Sequence, residues 1–147
     1  MQTIAQDEPF PATTLPGHAG SRRRSGAGRI LSGLAVAFLL FDSAGKLLQV
    51  QPVVDGAVQL GYPRDTVFSL GVILLSCVLA YVTPRTSVLG ALLLTGYLGG
   101  AVATHVRVGS PLFSHVLFPT YVAALVWGGL VLRDPRLFAF LPIRREP

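Results

Sequence analysis

Two opposite charges stand inside the first hydrophobic segment of the chain, where residues 38–50 read FLLFDSAGKLLQV. Asp42 and Lys46 are four residues apart, so a helix places them one turn apart on the same face, acid before base. A charge at mid-depth in a membrane costs at least about 2.5–3.5 kcal/mol on insertion scales. The pair is therefore either a structural ion pair that locks the segment against its neighbours or a proton-transfer or ligand-binding pair.

Further polar side chains are expected near this pair, toward the outer ends of the hydrophobic segments. One carboxylate, several cations and two imidazoles would form a polar cup for an anionic or quinone-like headgroup, because imidazoles donate to carbonyl oxygens and pass protons. The candidate ligand-binding residues are Asp42, Lys46, Tyr62, Arg64, His105, Arg107 and His115.

Each outer member of this cup also has a simpler interpretation. Arg64 and Arg107 are typical of interfacial anchors, and His115 is typical of a histidine satisfied at the interface. His105 follows a run of small residues and fits either role. Two histidines across a short connection could also ligate haem or copper, but nothing else in the sequence indicates a metal, so no metal site is predicted. No residue is assigned as catalytic.

A run of small residues marks the third hydrophobic segment, in the stretch TGYLGGAVATH. Gly96 and Gly100 have the GxxxG spacing, and Gly99 lies beside them. Small residues let another helix backbone approach closely, so these glycines predict tight helix packing within the bundle or dimerisation. A glycine-rich phosphate loop is excluded, because it needs a preceding strand and a soluble context.

The low content of charge indicates that lipid surrounds much of the chain. Only 13% of the residues are charged, against about 25% in soluble domains, and the mean hydropathy is +0.58. The single cysteine, Cys77, excludes an internal disulfide and a two-cysteine redox motif. The net charge of +5 comes from basic residues at the ends of hydrophobic segments, so it predicts a membrane topology and no nucleic-acid partner.

Four hydrophobic segments each approach the ~20 residues needed to cross the hydrocarbon core. They do not alternate as β-barrel strands would, so the sequence predicts an all-α bundle of four transmembrane helices. Residues 1–28 are predicted to be a disordered basic tail, 29–142 the membrane domain and 143–147 a second tail. The segments are 30–50, 66–82, 87–106 and 112–132, and the longest connection between them is 51–65.

The distribution of Lys and Arg predicts the orientation of the bundle. Nine arginines fall on the side of the chain termini, two fall on the other side, and Lys46 lies within a span. Both termini are therefore expected in the cytoplasm, with the protein in the plasma membrane. The nine are Arg22, Arg23, Arg24, Arg29, Arg85, Arg133, Arg136, Arg144 and Arg145, and the two are Arg64 and Arg107.

These residues resemble the DoxX-like family of small four-helix membrane proteins. The resemblance rests on LLFDSAGK in the first segment, LGYP after it, LTGYLGGAVATHVRVGSP across the third and LVLRDPRL after the fourth. It covers about residues 29–142, and the third of these motifs is the most specific. Lys46, Gly100, His105 and Arg107 fall on family-like positions, and no family catalytic residue carries over.

The resemblance implies a membrane function linked to quinones. The broader family takes its name from a small subunit associated with a terminal quinol oxidase and with thiosulfate:quinone oxidoreduction. It therefore implies an accessory or redox-partner subunit that contacts quinone or another component of a membrane oxidoreductase complex. Two alternatives stay open: an independent small membrane enzyme or transporter that uses the same cup, and a structural scaffold. A homo-oligomer is compatible with each of them.

Overall fold

The computed structural model describes residues 18–134 and residue 137, and every element within this part of the chain is helical. A five-residue π-helical segment, Leu112–Val116, leads into the last helix after a one-residue break. The α-helices are α1 (His18–Leu47), α2 (Gln51–Gln59), α3 (Arg64–Val82), α4 (Ser87–Arg107) and α5 (Phe118–Arg133).

Four stretches are long and apolar enough to cross a membrane, as the sequence predicts. The fourth includes the π-helical segment together with α5, so the break at Leu117 does not divide the span. The four stretches are Gly26–Leu47, Arg64–Val82, Ser87–Arg107 and Leu112–Arg133.

The first helix extends further toward the N-terminus than the hydrophobic pattern indicates. It begins at His18, so the predicted boundary between tail and membrane domain at residue 28 lies inside α1. Arginine has a good helix propensity, so the arginine-rich run before the apolar segment can form the first turns of the same helix. Residues 1–17 of the predicted tail, and the predicted tail over 143–147, lie outside the described residues.

The four long helices form a square. The first, α1, packs on α3 and α5, and α4 packs on the same two helices. Within the described chain, the backbones of the diagonal pairs do not approach each other closely: α1 lies apart from α4, and α3 meets α5 only through side chains such as Tyr81. The core fills the centre with buried apolar side chains, which include Ala35, Leu39, Leu74, Val78, Tyr81, Leu94 and Val126.

The bundle is tightest at the end that lies away from α2, which we call the far end. Gly28 of α1 and Gly129 of α5 face each other there so closely that a Cβ on Gly28 would come within 2.9 Å of the Gly129 carbonyl oxygen. Gly90 lies against the backbone of Tyr81, which holds the α3–α4 hairpin together. These glycines let helix backbones approach closely, as small residues do in membranes.

A buried hydroxyl pair joins three helices at the far end. The Tyr81 hydroxyl donates a hydrogen bond of 2.9 Å to the Val126 carbonyl oxygen, and the Ser32 hydroxyl lies 2.9 Å from the Tyr81 oxygen. Both side chains are almost completely buried. This network links α1, α3 and α5. Hydrocarbon offers these groups no other hydrogen-bond partner, so the bonds are not easily exchanged.

The sequence prediction of a plain connection over residues 51–65 misses a helix. Residues Gln51–Gln59 form α2, which packs on α3 and α1 at one end of the bundle, the α2 end. The signals for this helix are Pro52 in its first turn and an i,i+4 contact of 3.0 Å from the Gln51 amide to the Asp55 carboxylate. Its nine residues are too short for a span, so a search for spans overlooks them.

Large apolar side chains cover the outside of the bundle. Phe41 is 80% exposed and Ile30 is 65% exposed, and both lie in the first span. Soluble proteins rarely expose broad apolar patches, whereas hydrocarbon tails solvate such surfaces well. The exposed side chains therefore fit a protein whose solvent is lipid.

Candidate functional site

A cavity of about 400 Å³ lies at the α2 end, between the diagonal helices α1 and α4. Its walls are mainly apolar, with a small set of polar groups, and its volume falls in the range of about 300–1,000 Å³ that is usual for small-molecule sites. All five α-helices contribute to it. The polar lining residues are Asp42, Lys46, Tyr62, Tyr97, Thr104 and His105.

The charged pair of α1 forms one wall of this cavity. The Lys46 ammonium donates to the Asp42 carboxylate one turn earlier on the helix, and both residues line the cavity. The side chains are 15% and 33% exposed, respectively. The lysine stem packs against Gly71 of α3, where a Cβ would come within 2.9 Å of the Lys46 Cβ. The ammonium turns back to the carboxylate, whereas the sequence alone also allows it to extend toward the interface.

A tyrosine after α2 closes the end of the cavity. The Tyr62 hydroxyl lies 2.8 Å from the Thr104 hydroxyl, and Thr104 donates a bond of 2.9 Å to the Gly100 carbonyl oxygen. Because the threonine proton is used in that bond, Tyr62 is the donor to Thr104. The connection between α2 and α3 is thereby attached to α4, and sequence patterns give no indication of this contact.

The two histidines meet, but only one of them lines the cavity. The rings of His105 and His115 are edge-to-face, with centroids 5.7 Å apart. His105 Nδ1 is 3.0 Å from the Ser110 hydroxyl, while His115 is exposed and contacts the neighbouring Ser114 hydroxyl at 2.8 Å. Among the described residues, no group of three or more His, Cys, Asp or Glu side chains is arranged to hold a metal ion.

The two arginines of the predicted cup hold the backbone and α2 in place, outside the cavity lining. Arg107 donates a bond of 2.7 Å to the Leu60 carbonyl oxygen and lies over Gly61, whose φ of +86° suits glycine alone. Arg64 pairs with Asp55 of α2 at 2.9 Å, and both side chains are well exposed. These contacts fasten α2 and the turn after it to the bundle.

The glycines of the GxxxG stretch occupy a different place from the predicted one. Apart from the backbone of its own helix, a Cβ on Gly96, Gly99 or Gly100 would meet no atom of the described chain within 4 Å, so none of them packs against another helix of this bundle. Gly96 and Gly100 instead line the cavity, which exists partly because they lack side chains. Gly99 does not line it. Dimerisation through these glycines remains a prediction.

A comparison with models of protein families matches the description "DoxX-like family" over residues 30–129. The chain belongs to the DoxX-like family. The DoxX-like match includes every residue that lines the cavity, from Phe38 to Val122. Comparisons with curated proteins and with solved structures found no match. Family membership and the four apolar spans together make this DoxX-like chain an integral, multi-pass membrane protein.

The cavity of the DoxX-like chain has lining residues that the sequence analysis did not select. Phe38 and Phe118 line it from α1 and α5, with ring centroids 5.2 Å apart in an edge-to-face contact. They are 40% and 43% exposed, so these rings reach both the cavity and the outer surface. The sequence indicates Phe38 as a neighbour of the charged pair, because it precedes Asp42 by four residues and lies on the same face of the helix. Phe118 lies far away in sequence, and no pattern indicates that it lines the cavity.

Proposed function

We propose that this DoxX-like protein is an accessory or redox-partner subunit that binds the headgroup of a membrane quinone in the cavity beside Asp42 and Lys46. The observation that carries the proposal is the cavity itself, which is mainly apolar, has a few hydrogen-bonding groups and is lined mostly by residues of the spans. A quinone carries electrons and protons between membrane enzymes, and its ring is flat and apolar with carbonyl acceptors.

The residues around the cavity fit such a ring. Lys46 is a donor with three N–H bonds, of which the Asp42 contact uses one. His105 contacts Ser110 through Nδ1, and its Nε2 has no hydrogen-bond partner among the described residues. The Phe38 and Phe118 rings form the side wall toward the outer surface, where an isoprenoid tail could leave between α1 and α5.

The proposal includes the orientation of the bundle. The excess of arginine at the far end supports cytoplasmic termini, a plasma-membrane location and a cavity in the outer half of the bilayer. Cysteine substitutions at exposed sites test this orientation. Arg85→Cys at the far end should react with a membrane-impermeant maleimide only after cells are opened, and Arg64→Cys should react in intact cells. The reverse pattern would overturn the orientation.

Binding is tested with a substitution that fills the cavity. Purified protein in detergent should show a higher melting temperature with decylubiquinone or a short-chain menaquinone. Gly100→Leu places a side chain in open space within the cavity and should abolish this shift. Gly99→Leu is the matched control, because Gly99 has the same open surroundings outside the cavity, and it should keep the shift. No shift in the unchanged protein, or equal shifts in both variants, would contradict quinone binding.

The subunit role has a separate test. Affinity purification from native membranes under mild detergent should recover a stoichiometric oxidoreductase whose redox cofactor is visible by absorbance. Its quinone-reducing activity should fall in the Gly100→Leu background and persist in Gly99→Leu. A protein that binds quinone yet purifies alone and leaves membrane quinone reduction unchanged would overturn the subunit role.

A structural scaffold is the second candidate, and the packing of Lys46 on Gly71 favours it. In that case the ion pair only fixes α1 against α3. Replacing the pair with apolar residues would then leave the stability intact, and the unchanged protein would show no quinone-dependent shift.

A further inference from the structure

A second recess lies at the far end of the bundle, and its chemistry differs from that of the first cavity. It has a volume of about 230 Å³ and lies between α1, α3 and α5. Its lining combines two arginines, Arg29 and Arg133, with the ring of Tyr81 and the apolar side chains of Val36 and Val82.

The two arginines of this recess lie at the depth of lipid headgroups. Arg29 is three residues inside the start of the first span, and Arg133 is the last residue of the fourth. Val82, which also lines the recess, ends the second span and is 53% exposed. The recess therefore combines positive charge with an apolar side along which an acyl chain could lie.

Neither arginine of the recess has a carboxylate partner among the described residues. Two ion pairs of the described chain, Lys46–Asp42 and Arg64–Asp55, are both away from the far end, and neither involves Arg29 or Arg133. Two unpaired cations that face one recess repel each other, so an anion between them would be favoured. Guanidinium groups also match the geometry of phosphate oxygens, to which they donate in parallel.

One of the two arginines is held in position by the protein. The Arg133 guanidinium carbon lies 5.5 Å from the centroid of the Tyr81 ring, in a cation–π contact. The ring cannot move easily, because the Tyr81 hydroxyl is bonded to Val126 and the side chain is 1% exposed. A cation that is already oriented loses less conformational entropy when it binds a ligand.

We infer that this recess binds the phosphate group of an anionic phospholipid, with Arg29 and Arg133 as its cationic ligands. Basic pockets between membrane helices are suited to such headgroups. The inference is independent of quinone binding, because the two cavities share no lining residue.

The test compares lipids and variants by the melting temperature of the purified, delipidated protein. Phosphatidylglycerol should stabilise it, and phosphatidylcholine at the same concentration should do so much less. Arg29→Gln with Arg133→Gln should raise the half-maximal phosphatidylglycerol concentration by about fivefold for each arginine removed. Arg29→Gln alone, which removes no hydrogen bond or ion pair of the described chain, provides the measurement if the double variant does not fold.

The matched control is Arg85→Gln, because Arg85 is an exposed arginine in the turn after α3 that does not line the recess. It should keep the full response to phosphatidylglycerol. Equal losses in the Arg85 and Arg29 variants would indicate general surface attraction and overturn the site. Equal stabilisation by phosphatidylcholine would overturn it as well. Inorganic phosphate that reproduces the shift at the same concentration would overturn a lipid as the source of the phosphate.

Discussion

The two ends of this bundle use the same four helices in opposite ways. At the far end, Gly28, Gly90 and Gly129 let backbones touch, and the buried Tyr81 network fills the space between helices. At the α2 end, Gly96 and Gly100 leave space open, and polar contacts close the bundle only at its rim. Glycine therefore serves close packing at the far end, whereas at the α2 end the glycines of α4 leave a chamber open while Gly71 of α3 packs closely on Lys46.

The largest expected effect comes from placing a methyl group at each end. Gly90→Ala should lower the free energy of unfolding by about 3 kcal/mol or more, because its Cβ would collide with the Tyr81 backbone. Gly100→Ala should leave it unchanged or raise it by up to about 1 kcal/mol, because alanine favours helix and meets no neighbour. Unfolding of each variant in mixed micelles measures the difference. Equal effects would show that the ends do not differ in packing.

A smaller effect is expected from breaking the charged pair at the α2 end. Asp42→Asn should lower the free energy of unfolding by about 2 kcal/mol, because Lys46 loses its partner within a span. The loss is smaller than for a fully buried pair, since both side chains are partly exposed. Asp42→Met with Lys46→Leu should restore most of this loss. The same unfolding assay measures both variants. A double variant as unstable as the single one would show that the pair does more than neutralise charge.

The smallest expected effect comes from removing one hydroxyl at each end. Tyr81→Phe should cost about 1–2 kcal/mol of unfolding free energy, because it leaves the Val126 carbonyl oxygen and Ser32 without their buried partner. Tyr62→Phe should cost about 0.5–1 kcal/mol, because its contact to Thr104 is only partly buried. Thermal unfolding under identical detergent conditions ranks the two. A larger loss in Tyr62→Phe would reverse the order of the two ends.

The sequence predicts those parts of the fold that lipid imposes. Four apolar stretches must become four helices, because hydrocarbon leaves backbone groups no other partner. The contact between Asp42 and Lys46 is also local, since an i,i+4 pair meets wherever a helix forms. The family resemblance rests on the same local motifs and is confirmed by the match over residues 30–129.

The rest depends on contacts between residues far apart in sequence. Nothing local indicates that Tyr62 bonds Thr104, or that Arg107 reaches the Leu60 carbonyl oxygen. The GxxxG spacing predicts a close approach, but whether a helix lies opposite depends on the arrangement of the square. The pattern of spans does not indicate the short helix α2, because nine residues cannot cross a membrane, and its role is visible only from its contacts to α1 and α3.

The missing contact between α1 and α4 has a consequence for how this architecture diversifies. Because the backbones of these two helices stay apart in the described chain, side-chain size on either one sets the width of the chamber between them. Replacing a glycine on α4 with a bulkier residue, or a phenylalanine on α1 with a smaller one, would change the volume of the chamber. The packing of α1 and α4 on α3 and α5 would be retained. The same arrangement of helices could thus bind ligands of different sizes.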